Sequence, residues 1–502
     1  MVAPTYQPRD PSSTILYQVV TERLETFLAS IDADPTAKGL PSYVRTSFRP
    51  TSSAASSLTA FCGWPVTPVR IKCCSPSSVL AKTQGRCKKR GFCPSCAGRR
   101  MAETAAHLVE QVIPWVPIRQ WVVSVPIPWR YWMAASTHLM AQVQTIIRRT
   151  IHQYYVNQAV KQGYPREQVQ AGSVTFVQRF GSSLNLNLHD HFICLDGVYL
   201  DRSAQGLKPK FVKIAPPSDA DIAAVVTKLS QRVIRKLRQL GYLELDLDAT
   251  TATGYDPLVD DAPELARTLS ASVQQRIAFG ERAGQQVRRI GSGFGYEGEH
   301  PTLSGPRCAS VHGFSLHANT HIPAHRRDQL ERLIRYTARG AVSLERLAQD
   351  ENGDLLYTFT RVWSDGTMGI KLSPLELIEK LAALVPPPRV HQVRYAGCLA
   401  AHSNLRRSIT PTPRQRGIEP SASPVSSRWG WARLLKRVFA LDMEGCPRCH
   451  QGALRIIAAI LYQPVIRRIL RHLKLTADPP PPDPGSLGAR TLRLDLGLTY
   501  LG

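Results

Sequence analysis

Carboxylates are the scarce side chains of this 502-residue chain: 38 Asp and Glu stand against 63 Lys and Arg, giving a formal charge of +25 and a pI near 9.9. An imbalance of that size makes acidic polymers the natural partner class. Long apolar runs are missing too. No stretch of about 18 uninterrupted apolar residues occurs, which disfavours a membrane span. The opening Met-Val-Ala-Pro-Thr-Tyr-Gln-Pro-Arg-Asp has no apolar leader core, so a soluble, intracellular protein is expected. No internal repeat is evident. Hydrophobic residues, at 43%, suffice for ordinary cores, and the length suggests roughly two to four domains.

Cysteine is not scarce. There are eleven, an odd number, and four form the Cys-Pro-x-Cys pairs Cys93/Cys96 and Cys446/Cys449. In a reducing compartment that pattern reads as metal ligation rather than a disulfide framework, with zinc the first candidate.

Along the chain, Leu16, Val19, Val20, Leu24 and Phe27 recur at helical spacing within residues 1–46. Residues 48–84 are Ser/Thr/Pro-rich, hold no acidic residue and keep no period. Helices are expected over 102–113, 134–162, 219–240 and 326–339, and strands over 119–126, 173–180 and 184–195. The acidic segment leading to Glu264 reads as an insertion or connection. Residues 314–322 partly alternate, 355–361 and 367–372 flank a hairpin signal, and Ser373, Pro374 and Glu376 open a further helix as cap, first-turn proline and closing acid. Strands and helices are mixed, which predicts an α+β class.

Three constellations carry chemistry. Cys93 and Cys96 have the tight spacing of a zinc knuckle, to which Cys87 adds a third thiolate; Cys74 is a weaker fourth candidate. The knuckle is embedded in a basic stretch free of carboxylates from 81 to 100, where Lys88, Lys89, Arg90, Arg99 and Arg100 are suited to DNA phosphates. Cys446 and Cys449, beside His450, are half of a second zinc site.

His189 and His191 stand two apart on the alternating run Leu-Asn-Leu-Asn-Leu-His, so both imidazoles face one side of a strand and can grip one divalent ion. Gln178 and His317 are candidates for a third ligand. Finally, helical spacing over 326–339 puts Leu330, Leu333, Ile334 and Thr337 on one face and Arg332, Tyr336 and Arg339 on another. A phenol with a reference pKa of about 10 is a poor nucleophile at neutral pH, but neighbouring cations favour its phenolate and also attract a phosphate.

Residues 91–106, 121–130 and 175–199, followed by 313–319, 375–395 and 446–460, resemble successive motifs of the insertion-sequence-91-type transposases, a branch of the HUH group named for its His-hydrophobic-His motif. The resemblance runs from about residue 85 to 475. It implies an HUH endonuclease-like antiparallel sheet with helices, preceded by a small zinc-binding module. Residues 1–110 then form the zinc-binding domain, 111–400 the catalytic domain, and 401–502 a basic, proline-rich C-terminal region. The implied activity is a metal-dependent nickase and strand transferase, acting on single-stranded DNA at element ends and target by a rolling-circle route. Its cofactors are catalytic Mg²⁺ or Mn²⁺ and structural Zn²⁺, and its setting is the bacterial cytoplasm, associated with DNA. On that alignment His189 and His191 hold the catalytic metal, Tyr336 becomes linked to a 5′-phosphate, and Arg339 is the motif's basic residue.

Three departures stand out. Asp190 occupies the place between the histidines where an apolar residue is expected. Position 332 is Arg where the founding pattern has another tyrosine, which makes this a single-tyrosine variant. Over 48–84 the resemblance lapses; a reading-frame shift closed near residue 85 would account for that and would remove half of the zinc site. Two other functions share much of the pattern: a DNA-binding protein from a decayed element, without catalysis, and a plasmid-type replication initiator.

Overall fold

The computed structural model describes residues 14–33, 37–48, 92, 94–243, 256–291 and 305–411, a few more between 436 and 472, and only the backbone of 95, 96 and 257. Apart from that last handful, they belong to one compact unit drawn from residues 13–49 and 88–427. Its helices are α1 Ile15–Asp32, α2 Ser42–Phe48, α3 Pro94–His107, α4 Ile127–Ala135, α5 Thr137–Lys161, α6 Asp219–Gln239, α7 Pro257–Asp261, α8 Pro263–Val273, α9 Arg327–Thr337, α10 Pro374–Leu384 and α11 Arg406–Ile409. Its strands are β1 Ile118–Ser124, β2 Val169–Gln170, β3 Gly172–Phe180, β4 Leu186–Leu195, β5 Gly197–Leu200, β6 Lys210–Lys213 and β7 Arg288–Ile290. They continue with β8 Cys308–Val311, β9 Phe314–His317, β10 His321–Ile322, β11 Leu347–Gln349, β12 Leu355–Thr358, β13 Gly369–Leu372 and β14 Val393–Gly397.

The main sheet runs β14-β3-β4-β1-β9-β8, with β10 also on β1, and every pairing is antiparallel. A second sheet runs β11-β12-β13-β7 and a third β2-β5-β6. The class is α+β with antiparallel sheets, as the mixed pattern predicts.

Local chemistry starts the helices. Ser218 and Asp221 close a capping box on α6, and Ser373 and Glu376 do the same on α10, with Pro374 at its first position. The helix expected over 134–162 is in fact interrupted: Ser136 accepts from the Leu139 N–H and caps a fresh start, and the separate α4 precedes it. Likewise, part of the segment read as a connection up to Glu264 is helical. The Asp256 side chain accepts from the Leu258 N–H at 3.0 Å and starts α7, so a carboxylate that looked like solvated composition is a cap.

Alternation along the central strands divides the side chains between two cores. On one face Trp121, Val123, Leu188, Phe192 and Cys194 pack against α5 and α6. On the other, Val174, Phe176, Ile193 and Leu195 meet Leu330, Leu333 and Ile334 of α9, with Ala105, Leu108 and Val112 from α3 and the π-helical turn after it. Each buried aliphatic side chain of α9 contributes on the order of 1.5–3 kcal/mol. The half-exposed pairs on its outer face, Arg332 with Asp328 and Arg335 with Glu331, count for far less, so the apolar stripe decides where the helix lies. Between β1 and the end of β4, buried Arg119 makes two 2.9 Å hydrogen bonds to Asp196, which also accepts from Tyr155 of α5 at 3.2 Å. Those contacts tie the middle of the sheet to the long helix behind it.

Candidate active site

The site lies on the face of the main sheet that α9 covers. His189 is paired in register with Gln178 of β3 and Ser124 of β1, and His191 with Phe176 and Val122, so all six side chains share one face. The two imidazole centroids are 5.0 Å apart. His189 donates from Nδ1 to the Asn187 carbonyl at 2.9 Å, which places the lone pair of a neutral ring on Nε2. His191 is buried, with its Nδ1 2.7 Å from the Gln120 amide nitrogen and its Nε2 without a hydrogen-bond partner. With the Gln120 amide facing this way, the proton of His191 belongs on Nε2; turning the amide over moves it to Nδ1 and leaves Nε2 bare, the state a cation requires. Burial pushes the His189 pKa down to about 4 and that of His191 well below the imidazole range, and the Arg339 guanidinium adds to both.

Behind the strand, Asp190 points to the opposite face, as its place between the histidines dictates. It accepts from the Gln144 amide of α5 at 2.8 Å, and burial raises its carboxyl to about 7. The departure from an apolar residue there is absorbed by a buried polar pair.

Tyr336 arrives from α9. Its ring centroid is 6.3 Å from that of His191, with the planes at 89°. Both ends of the helix are fixed: Arg327 donates to the Val109, Ile113 and Pro114 carbonyls, and the Gln178 amide nitrogen donates to the carbonyls of Thr337 at 2.9 Å and Tyr336 at 3.4 Å. Gln178, expected as a metal ligand, therefore also anchors the segment that carries the phenol. The helix stops at Thr337, two residues earlier than its sequence period suggests: the Ala338 N–H still reaches the Ile334 carbonyl, but Ala338 itself leaves the helical conformation (φ −92°, ψ 4°), and the Arg339 N–H closes only a short turn onto Tyr336 at 3.4 Å. Arg339 is consequently off the helix, yet its guanidinium lies 4.5 Å from the Tyr336 ring centroid and 5.6 Å from that of Phe180. Arg332 is held by Asp328 at 2.6 Å rather than stacked with them.

His317 shares the face of the two histidines, but through Val122 of β1, so a full strand stands between it and His191. Among the described residues, no three His, Cys, Asp or Glu side chains come together to hold an ion. Arg100, on α3, lines a cleft of about 130 Å³ together with Gln178, Arg179, Thr337 and Arg339. Arg99 is half-buried on the same helix. Cys74, Cys87, Lys88, Lys89, Arg90, Cys93, Cys446 and Cys449 lie outside the described residues, as does the side chain of Cys96.

Two cations escaped the sequence reading. Half-buried Arg130, just past β1, donates to the Val125 carbonyl and is close enough to lower the pKa of His189; burial brings its own down to about 10. Arg179 is fully buried on β3, with its pKa also brought to about 10 by burial. Neither makes a salt bridge among the described residues. The only sequence signal was their place inside the two motifs around 121–130 and 175–199.

Residues 37–125 match the transposase zinc-binding domain family, and residues 172–406 match the putative transposase family. Together the two matches cover more than half of the chain. The chain belongs to the rolling-circle transposases of the insertion-sequence-91 type. In this transposase the zinc-binding match runs across residues 48–84, where the sequence reading loses the resemblance. Tyr336, His189 and His191 all lie within the second match. No curated protein and no solved structure matches the chain. No helix among the described residues is long and apolar enough to cross a membrane.

Proposed function

We propose that this transposase nicks single-stranded DNA at the element ends with Tyr336, forming a 5′-phosphotyrosine. What supports this reading above all is the approach of the Tyr336 ring to the paired imidazoles, from a helix fixed at both ends. The Tyr336 oxygen attacks the scissile phosphorus and the bond to the 3′-oxygen breaks, so one strand ends linked to the protein and the other in a free 3′-hydroxyl. Attack by a 3′-hydroxyl on the phosphotyrosine reverses the step and rejoins DNA. Arg339, over the phenol, and Arg130, near His189, are placed to hold phosphate oxygens and to offset the charge of the transition state.

His189 and His191 fit a divalent cation: both rings are kept neutral by burial, and the His191 Nε2 is a buried nitrogen without a partner. They would hold Mg²⁺ or Mn²⁺, the nitrogen donors favouring Mn²⁺. Once bound, the ion would supply Lewis-acid polarisation of a phosphate oxygen. Residues 1–110 serve as the zinc-binding domain, with Cys87, Cys93 and Cys96 as thiolate ligands and Cys74 a further candidate. Residues 111–400 are catalytic, and 401–502 form a basic region in which Cys446 and Cys449 also bind zinc. The DNA-associated protein works in the bacterial cytoplasm.

The test is a labelled single-stranded oligonucleotide carrying an element end, incubated with wild type and Tyr336→Phe, each with and without chelator. A covalent band is expected only for wild type with free cation. A band that survives in the Phe variant sinks the assignment, and no band under any condition favours a DNA-binding protein without catalysis.

A further inference from the structure

The face of the main sheet away from the nucleophile carries a second basic feature. Helices α5 and α6 pack side by side there, and between them runs an open groove of about 590 Å³. Arg149 of α5 and Arg232, Arg235 and Lys236 of α6 line it, with the amides of Gln153 and Gln239. No carboxylate is among the lining residues, and none of the four cations makes a salt bridge among the described residues. Positions 232, 235 and 236 lie on one helical face, at the three- and four-residue spacing that stacks side chains about 5–6 Å apart. At the side of the groove His152 is held against the sheet, its Nε2 2.8 Å from the Ser173 hydroxyl, and Arg232 donates to Thr150 at 3.1 Å. The groove therefore has fixed walls and presents exposed or half-exposed cations along them.

We infer that this groove binds the phosphodiester backbone of DNA flanking the cleavage point, on the opposite side of the sheet from Tyr336. The lining favours DNA over an acidic protein segment. Among the described residues Ile146 and Val156 are its only aliphatic side chains, too few to form the desolvated apolar anchor on which protein interfaces depend. Arginine, lysine and glutamine are among the side chains that supply the phosphate contacts which position a protein on DNA. A strand held here extends the contact beyond the few nucleotides that the catalytic face reaches. The inference requires the chain to bind DNA but is independent of the chemistry at Tyr336.

The test uses the full chain with Arg149, Arg235 and Lys236 all changed to Glu, and compares two single-stranded oligonucleotides, one confined to the cleavage site and one extended on both sides. A control carries Lys208→Glu, Lys210→Glu and Lys213→Glu, an equal charge change at exposed positions away from the groove. For the groove variant, affinity for the extended oligonucleotide is expected to fall at least about tenfold, and the salt slope by about 2, three contacts at roughly 0.7 each. Affinity for the short oligonucleotide should change no more than in the control. Arg149→Gln, Arg235→Gln and Lys236→Gln together should give a smaller loss in the same direction, which separates charge from misfolding. Equal losses in groove and control variants, or competition by poly-glutamate as strong as by DNA of equal charge, would overturn the assignment. Tyr336→Phe should retain the groove dependence, so a failed nucleophile assignment leaves this result readable.

Discussion

The Tyr336 ring meets the His191 ring edge-on, 6.3 Å between centroids, although one rides on α9 and the other on β4. Leu330, Leu333 and Ile334 press the helix onto Val174, Phe176 and Ile193, and Arg327 and Gln178 hold its two ends. Perturbing the ring's neighbours or its anchors should change chemistry without abolishing the fold.

Arg339 is the first neighbour, 4.5 Å from the phenol ring. Arg339→Ala is expected to lower the single-turnover rate of covalent adduct formation by about 10²–10³, the usual loss when one charge-stabilising donor is removed. Arg339→Lys should recover only part of it, because an ammonium neither stacks nor forks. A Lys variant as fast as wild type would show that charge alone suffices.

Gln178 distinguishes anchoring from ligation. If its work is to hold the Tyr336 and Thr337 carbonyls, Gln178→Leu should slow adduct formation about tenfold and change cation affinity by less than about threefold, whereas loss of a metal-site residue costs about 10–100-fold in affinity. Calorimetric titration with Mn²⁺ alongside the rate measurement decides between them.

Asp190 and Gln144 form a buried pair behind the histidines, in which the Gln144 Oε1 has no partner. Asp190→Leu strands the rest of that amide and should cost about 1–3 kcal/mol in urea unfolding. Asp190→Leu with Gln144→Leu should regain most of the loss, since two apolar groups replace two desolvated polar ones. A double variant no more stable than the single would show that the pair itself contributes.

Stability should fall as the solution is acidified. His152, pushed to about 3, and His189, pushed to about 4, bind fewer protons folded than unfolded, where imidazole titrates near 6.5. Their contribution is therefore complete above about pH 6.5 and is lost progressively toward pH 4. Asp190, raised to about 7, acts in the opposite sense between about pH 7 and 4, and burial raises Glu379 likewise. Urea midpoints at pH 7.5, 5.5 and 4.5 should decline, less steeply in His152→Gln and more steeply in Asp190→Asn. A midpoint that rises on acidification would mean that the carboxyls dominate.

Much of the site was legible because its signals are short-range. A period of two puts His189 and His191 on one face of a strand, and a helical period separates Leu330, Leu333 and Ile334 from Tyr336; both patterns follow from backbone geometry alone. Capping chemistry was legible at Ser373 and Glu376 and missed at Ser136 and Asp256, where a polar residue that begins a helix looks like one that merely meets solvent. Arg130, Arg179 and Gln120 left no local mark, since what distinguishes them is the strand or helix they face.

The order of residues by itself determined the charge, the alternation of the central strands, the apolar stripe of α9 and the family motifs. Folding alone decided that β3 and α9 bring Gln178 under the end of the tyrosine helix, that Arg339 bends back over the phenol beyond that helix, and that four cations of α5 and α6 line one groove. Local patterns fix which face a side chain takes along its own element; which other element lies opposite depends on how the two cores of the sheet are covered, and that is settled only when the whole chain packs.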